Sequence, residues 1–212
     1  VVRPGLEGLV CPKVDKVEEV RTMDAILNES EPRNKLAQGV VKLLIAIESP
    51  KGLFNAPAIA AASPRVSGLL FGAVDFGHEI GLPTVREGEA RDLIYARSAI
   101  VIAAAAAHVQ PIDGVWVDLN DSEGLFAFAR QSRQLGFSGM SCIHPSQVAA
   151  INTVFSPTGE EIEYCQKVLQ AFEEANARGD GSIALGGQLI DRPIVERARR
   201  TIETATSLGL LK

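Results

Sequence analysis

The sequence has 212 residues, of which 46% are hydrophobic and 22% charged, and its formal net charge is −5 at pH 7. This composition is typical of a globular enzyme and argues against a general nucleic-acid binder, because affinity for phosphate backbones requires an excess of Lys and Arg. The longest apolar run, residues 99–107, is far shorter than the roughly 20 residues of a membrane span. Three scattered cysteines favour a reducing, cytoplasmic setting. We therefore expect neither nucleic acid nor membrane among the partners.

Strand-like and helix-like segments alternate as far as residue 152. Apolar runs predict strands at residues 8–14, 40–48, 66–71, 114–117 and 139–143. The segments after them predict helices at residues 16–28, 53–62, 86–109, 121–135 and 145–152. This alternation indicates an α/β fold with a parallel sheet. Five βα units are compatible with an open doubly wound sheet, or with the latter part of a (β/α)8 TIM barrel that lacks about three units of roughly 30 residues.

The last part of the sequence predicts a helical extension rather than further βα units. Thr158 and Glu161 match a capping box that opens a helix to about Ala177. The glycine-rich residues 179–182 are typical of a hinge, and Asp191 matches the N-cap of a final helix over residues 193–208. We predict a partial barrel domain over residues 1–155 and a helical extension over residues 156–212.

An ionisable side chain lies at or near the end of every predicted strand. These residues are Lys13, Glu48, Asp75, Asp118 and His144. In parallel-sheet folds, ligands bind at the carboxyl ends of the strands, so these residues are candidates for one common site. Any one of them could equally be an ordinary solvated strand end.

Glu48 and Asp75 are the strongest candidates for a metal site. Two carboxylates from neighbouring strands suit Mg²⁺, which takes one or two protein carboxylates and completes its shell with water and substrate oxygens. Zn²⁺ would require His or Cys ligands, and the three histidines are scattered. A structural salt bridge is the alternative for either acid. The fingerprints of dinucleotide binding, phosphate loops and serine esterases do not occur after the predicted strands.

Six motifs in series resemble the HpcH/HpaI aldolase and citrate lyase family, in particular its branch of citrate lyase β-subunits and malyl-CoA and citramalyl-CoA lyases. The motifs are Ile47-Glu48-Ser49, Gly72-Ala73-Val74-Asp75, Tyr95-Ala96-Arg97-Ser98, Ile112-Asp113-Gly114, residues 136–147 (GFSGMSCIHPSQ) and Leu189-Ile190-Asp191-Arg192-Pro193. Two features depart from the family pattern. The family's first three βα units, with an Arg on the third strand, are not in this sequence, and Met140 stands where many relatives have Lys.

The resemblance implies a (β/α)8 barrel with a C-terminal helical lid that contributes to a neighbouring subunit's site. It implies Mg²⁺ held by Glu48 and Asp75, and Asp191 as the catalytic acid or base. The substrate would be a small acyl-CoA and the assembly a homo-oligomer, either a trimer or a hexamer.

Substrate or CoA binding is expected from Arg97, His144 and Lys13. Arg97 could instead form a salt bridge to Asp92 or to another element. His144 could instead shape the turn into the next helix, and Lys13 is open to a similar structural interpretation.

The reaction that the resemblance implies is Mg²⁺-dependent carbon–carbon cleavage of a malyl-, citramalyl- or citryl-CoA-like thioester. The products would be a shorter acyl-CoA and a 2-oxo acid. Two alternatives stay open at this point: an aldolase acting on free hydroxy-oxo acids, and an inactive subunit with a role in assembly. The sequence does not say which acyl-CoA or carrier-protein thioester is used.

Overall fold

A five-stranded parallel sheet organises the first of two compact units, Val1–Ile151. The computed structural model describes residues 2–83, 91–178 and 183–211. The strands of this sheet are β1 (Gly8–Cys11), β2 (Lys42–Ile47), β3 (Val66–Phe71), β4 (Gln110–Asp113) and β5 (Gly139–Met140). They pair in chain order, without the reversal that defines a doubly wound sheet. This order is that of a (β/α)8 barrel, which decides between the two predicted α/β folds.

Helices follow the strands along the chain, and several of them pack against the sheet. They are α1 (Val17–Arg33), α2 (Pro50–Ala60), α3 (Ala73–Glu79), α4 (Ile94–Ala106), α5 (Ser122–Leu135) and α6 (Val148–Phe155). Local signals explain the bounds of α5: the Asp121 side chain accepts the Gly124 N–H at 2.8 Å, and Gly136 adopts φ 104° at the end of the helix. In the part of the chain that the structure describes, no helix is long and apolar enough to cross a membrane.

The two longest strands of the sheet, β2 and β3, contribute much of the core of this unit. Their most deeply buried side chains are Leu43, Ile45, Ile47, Leu69 and Phe71. The Ala-rich helix α4 contacts β3, β4 and α2, and its buried Ala96, Ala103 and Ala104 allow a close approach. Burial on both faces explains why these strands read as nearly continuous apolar runs.

The predicted strand at residues 114–117 is wrong. β4 lies four residues earlier in the chain, at Gln110–Asp113, where Gln110, Pro111 and Ile112 pair with β3. The apolar residues that suggested the later strand do not enter the sheet, and Val117 is 63% exposed. The fifth strand is also shorter than predicted, and the short helix α3 was not predicted. The part of the predicted helix before residue 91 lies outside the described residues.

The second unit, Asn152–Lys212, begins within α6, and its described part contains two further helices and a hairpin. Its elements are α7 (Gly159–Arg178), the antiparallel strands β6 (Ile183–Leu185) and β7 (Gln188–Ile190), and α8 (Arg192–Ser207). The predicted capping box is confirmed, because the Glu161 N–H donates to Thr158 Oγ1 at 3.1 Å and the Thr158 N–H donates to Glu161 Oε2 at 2.8 Å. The hairpin was not predicted, although Ile190 is fully buried among residues of both helices. The predicted hinge at 179–182 lies outside the described residues.

Candidate active site

Three of the predicted site residues meet at the carboxyl ends of β1, β2 and β3. Glu48 directly follows β2, Lys13 lies two residues after β1, and Asp75 lies in the first turn of α3. The Lys13 ammonium contacts Asp75 Oδ1 at 3.1 Å, and the Lys13 backbone N–H donates to Glu48 Oε2 at 3.2 Å. One lysine therefore contacts both carboxylates, through its side chain and through its backbone.

Lys13 holds an unusual backbone conformation at this point. Its φ of 54° lies in the left-handed region, which is sparsely populated by residues other than Gly, Asn and Asp. Such a conformation persists where surrounding contacts compensate for its cost. Here the hydrogen bond to Glu48 and the ion pair to Asp75 are two such contacts.

Gly72, the residue between β3 and α3, makes room for the Glu48 side chain. A Cβ added at Gly72 would lie 2.3 Å from Glu48 Cγ, closer than atoms can approach without displacement. Any other residue at this position would push the Glu48 carboxylate away from where it lies. The sequence contained a signal for this requirement, a glycine closing a buried strand, but the partner across the sheet could not be identified from it.

Burial and neighbouring charges shift the pKa values of Glu48 and Lys13. Burial, followed by the charge of Asp75, raises the pKa of the Glu48 carboxyl above its ordinary value, while the Lys13 backbone N–H and ammonium oppose this rise. The hydrogen bond to Asp75 and its negative charge raise the pKa of the exposed Lys13 ammonium. The Lys13 shift, and the part of the Glu48 shift that comes from Asp75, reflect neighbouring negative charge, which an added cation would relieve.

The donor set at this site fits a hard divalent cation better than Zn²⁺. Among the described residues, no group of three or more His, Cys, Asp and Glu side chains is arranged to hold a metal. The carboxylates of Glu48 and Asp75 provide the one or two protein ligands that Mg²⁺ takes, and water and substrate oxygens would complete its shell. The residues present therefore fit a magnesium ion.

A second group of side chains fixes the segment that carries Glu48. Ser49 follows Glu48 and caps α2: its Oγ accepts the Gly52 N–H at 2.8 Å and donates to Asp15 Oδ1. The Asp15 carbonyl in turn accepts the Asn55 amide at 2.8 Å. These bonds join the β1–α1 and β2–α2 connections. Neither Asp15 nor the capping role of Ser49 was predicted from the sequence.

Arg97 does not lie on an open surface of this unit. Its side chain is fully buried, and its Nε and Nη2 donate to Asp113 Oδ2 at 3.0 and 2.6 Å. Ser132 Oγ accepts a further hydrogen bond at 2.9 Å, and the guanidinium stacks 4.5 Å from the centre of the Phe128 ring. This is the structural alternative considered for Arg97, a salt bridge to another element. The guanidinium is occupied by these protein groups, and a direct substrate contact by Arg97 stays a prediction.

His144 and Asp118 have local structural contacts. The Nδ1 atom of His144 lies 2.8 Å from Ser146 Oγ and accepts the Ser146 N–H at 3.2 Å, which shapes the turn into α6. Asp118 accepts the Asn120 N–H at 2.9 Å in an exposed connection. A substrate contact by His144 stays a prediction.

Asp191 belongs to the second unit, where it is the N-cap of α8. Its Oδ1 accepts the Ile194 N–H at 3.3 Å, and Pro193 occupies the first turn. The residue is exposed. The N-cap interpretation of Asp191 is therefore confirmed, and its catalytic role stays a prediction.

Known proteins resemble this chain over most of its length. A family model described as HpcH/HpaI aldolase/citrate lyase matches residues 1–145. Citrate lyase subunit β of Haemophilus influenzae is 38% identical over 207 residues, covering 98% of this chain and 70% of the relative. L-malyl-CoA/β-methylmalyl-CoA lyase of Cereibacter sphaeroides is 34% identical, covering 96% and 69%. Human mitochondrial citramalyl-CoA lyase is 32% identical, covering 95% of this chain and 61% of the relative.

Solved structures show the same fold. The CitE protein of Mycobacterium tuberculosis, in complex with magnesium, acetoacetate and coenzyme A, aligns with a TM-score of 0.73 at 27% identity, over 94% of this chain and 68% of that one. A citrate lyase of Burkholderia xenovorans aligns with a TM-score of 0.83 at 24% identity, over 96% and 64%. By its sequence, its barrel-type sheet and these relatives, the chain belongs to the HpcH/HpaI aldolase/citrate lyase family and is a carbon–carbon lyase.

Proposed function

We propose that the protein is a Mg²⁺-dependent lyase that cleaves the acyl-CoA thioester of a 2-hydroxy acid into a shorter acyl-CoA and a 2-oxo acid. The observation that carries the proposal is the meeting of Glu48 and Asp75 at neighbouring strand ends, where Lys13 contacts both. The relatives support the chemistry, because one is named a lyase of L-malyl-CoA and β-methylmalyl-CoA and another a lyase of citramalyl-CoA.

Glu48 and Asp75 would hold the metal ion. When bound, Mg²⁺ supplies a Lewis acid that polarises the oxygens of the 2-oxo or 2-hydroxy acid. The lack of a side chain at Gly72 leaves room for the Glu48 carboxylate, and the Asp15–Ser49 hydrogen bond fixes the backbone beside it. Lys13, released from Asp75, would offer its ammonium to an anionic group of the substrate.

Asp191 is the candidate for the proton transfer. Cleavage beside a hydroxyl requires a base that takes the hydroxyl proton, and the enolate of the thioester product must then receive a proton. Asp191 is exposed and uses Oδ1 for its cap. We propose that it reaches the site of a neighbouring subunit in a homotrimer or a hexamer. Light scattering on the purified protein tests the assembly, and a monomeric enzyme with full activity would contradict it.

A cleavage assay followed by mass spectrometry tests the reaction. The purified protein is offered malyl-CoA, citramalyl-CoA and citryl-CoA, and separately free hydroxy-oxo acids, each with Mg²⁺ or with EDTA. We expect that one of the thioesters releases a shorter acyl-CoA when Mg²⁺ is present and that EDTA abolishes this release. Cleavage of the free acids and of no thioester would favour the aldolase instead, and no cleavage at all would favour a subunit with a role in assembly.

A pair of matched variants connects the activity to the site. Glu48→Gln should abolish the Mg²⁺-dependent cleavage, because an amide is a poor ligand for Mg²⁺ compared with a carboxylate. Glu29→Gln makes the same chemical change on the exposed face of α1, where Glu29 pairs with Arg33, and should leave the rate unchanged. Undiminished activity of Glu48→Gln would overturn the metal assignment.

A further inference from the structure

Two buried arginine–carboxylate networks lie at opposite ends of the parallel sheet. At the amino end, Arg65 precedes β3 and pairs with Glu31 and Asp24, each at 2.6 Å. At the carboxyl end, Asp113 is the last residue of β4 and pairs with Arg97 at 2.6 Å. Active sites of barrel folds lie at the carboxyl end, whereas the amino end contributes to stability. The two networks are therefore chemically alike but differ in their distance from the candidate metal site.

The carboxyl-end network fixes the backbone that leaves β4. Asp113 uses its two oxygens for different partners: Oδ2 accepts both bonds from Arg97, and Oδ1 accepts the Gly114 N–H at 2.8 Å. Its carbonyl also accepts the Ser141 N–H at 3.0 Å. Because Arg97 and Asp113 are both fully buried, this geometry is held without competition from water.

Gly114 brings that backbone against the start of α3. A Cβ added to Gly114 would lie 3.0 Å from the Phe71 carbonyl oxygen and 3.1 Å from the Ala73 Cβ. Ala73 is the first residue of α3, and Asp75 lies in the same turn. The contact thus reaches from the buried Arg97–Asp113 pair, through Gly114, to the turn that carries one of the two proposed metal ligands.

We propose that Arg97, Asp113 and Gly114 are positioning residues for the metal site, which hold the first turn of α3 so that Asp75 lies opposite Glu48. The inference rests on the proposed magnesium site. It gives Arg97 a role in the reaction that requires no contact with substrate. Mutation of a residue that orients a metal ligand commonly lowers the metal affinity by about 10- to 100-fold.

A pair of glycine variants tests the proposal without changing any charge. Gly114→Ala should displace Ala73 and weaken Mg²⁺ binding by about tenfold. Gly139→Ala is the control, because a Cβ there would meet Ile112 Cδ1 at an ordinary 3.6 Å. Neither glycine has a positive φ, so alanine adds no backbone strain in either case. Affinity is measured by calorimetry, with circular dichroism to confirm that each variant is folded.

A pair of charge variants separates positioning from general stability. Asp113→Asn and Glu31→Gln each remove one buried carboxylate charge from an arginine pair, the first at the carboxyl end of the sheet and the second at the amino end. Both should lower the free energy of unfolding, but only Asp113→Asn should weaken Mg²⁺ binding. Its catalytic rate should recover when the Mg²⁺ concentration is raised, which a purely structural defect would not allow.

Each outcome has a distinct meaning. Wild-type protein that binds no Mg²⁺ would overturn the proposed metal site and this inference with it. Wild-type binding with unchanged affinity in Gly114→Ala and Asp113→Asn would overturn the positioning role alone. Equal weakening in Glu31→Gln would also overturn it, since the effect would then follow stability rather than position. If Asp113→Asn does not fold, Gly114→Ala against Gly139→Ala decides the question.

Discussion

The Glu48 carboxylate has opposite effects on the proposed metal binding and on the stability of the metal-free fold. Its carboxylate is partly buried beside Asp75, and both features raise its pKa. A raised pKa means that the folded protein favours the protonated form relative to the unfolded chain. That favourable contribution is complete below the ordinary pKa of a glutamate and is lost as the pH rises through the raised value. The ionised Glu48 carboxylate therefore destabilises the metal-free fold relative to its protonated form.

The first prediction follows from this sign. In EDTA at pH 7, Glu48→Gln should unfold at the same or a higher temperature than the wild type, because the amide removes a partly buried charge beside Asp75 while its oxygen can still accept the Lys13 N–H. The same variant should lose the stabilisation that Mg²⁺ gives the wild type. Thermal unfolding with and without Mg²⁺ measures both effects. A clear drop in melting temperature in EDTA would show that the carboxylate stabilises the metal-free fold.

Lys13 supports a second prediction at the residue scale. Its ammonium neutralises Asp75 at 3.1 Å, in the region that a metal ion would occupy. Lys13→Met should therefore bind Mg²⁺ a few-fold more tightly, because a competing positive charge has been removed. If the released ammonium binds substrate, KM for the thioester should rise in the same variant. Calorimetry and initial rates measure the two effects.

Lys42→Met serves as the control for Lys13, since Lys42 is an exposed lysine at the opposite end of β2. It should change neither the Mg²⁺ affinity nor KM. Weaker Mg²⁺ binding by Lys13→Met would instead mean that Lys13 helps to build the site.

At the scale of single elements, the start of α8 allows its structural and chemical roles to be separated. Asp191 caps the helix through Oδ1, and Asn is as good an N-cap as Asp. Asp191→Asn should keep the stability of the second unit and lose the activity, because an amide cannot exchange the proton. Asp191→Ala should lose the activity and about 1 kcal/mol of stability. Reaction rates and chemical denaturation of both variants test these expectations. An active Asp191→Asn would mean that Asp191 serves only as the N-cap of α8.

Elements could be predicted from the sequence where their signals are local. The bounds of β3 agree fully with the prediction, because a buried apolar run ends at Gly72. Those of α5 agree to one residue, because Asp121 caps its start and Gly136 ends it. The fourth strand was placed wrongly because the apolar Trp116 and Val117 outweighed the true strand, whose residues include a proline and a carboxylate.

The candidate site was predictable in part for the same reason. Glu48 and Asp75 follow strands, so their meeting could be expected from the parallel sheet. The partners that hold them could not be expected, since Gly72 against Glu48 and Gly114 against Ala73 are contacts between distant parts of the chain. The same is true of Arg97, whose partner Asp113 lies 16 residues away on another element. These contacts depend on how the strands lie side by side, which spacing alone does not determine.

At the scale of the first unit as a whole, the network around Arg65 joins α1 to the amino end of the sheet. Arg65 Nη1 donates to Glu31 Oε1 at 2.6 Å and to the Val41 carbonyl at 3.0 Å. Glu31 also accepts the backbone N–H groups of Gly39 and Val41. The Arg65 hydrogen bonds and these N–H groups hold the pKa of Glu31 down at about 2, against the opposing effect of burial. The ionised Glu31 therefore stabilises the fold.

The last prediction concerns the response of this unit to acid. A lowered pKa contributes stability that is complete above the ordinary value of 4.5 and is lost as the pH falls towards about 2. The free energy of unfolding should fall over that range in the wild type, and Glu31→Gln should remove much of this fall. Arg65→Met should cost about 3 kcal/mol or more at pH 7, because it leaves a buried carboxylate without its cation.

Urea unfolding at pH 7, 4 and 3 measures these differences. The single tryptophan, Trp116, lies in this unit, so its fluorescence reports on the unit directly. Glu29→Gln on the same helix is the control, because the Glu29–Arg33 pair is exposed and a surface pair contributes little. An unchanged acid dependence in Glu31→Gln would mean that other carboxylates control the acid response. The amino-end network would then be an ordinary packing feature, and the contrast between the two ends of the sheet would depend on the carboxyl-end variants alone.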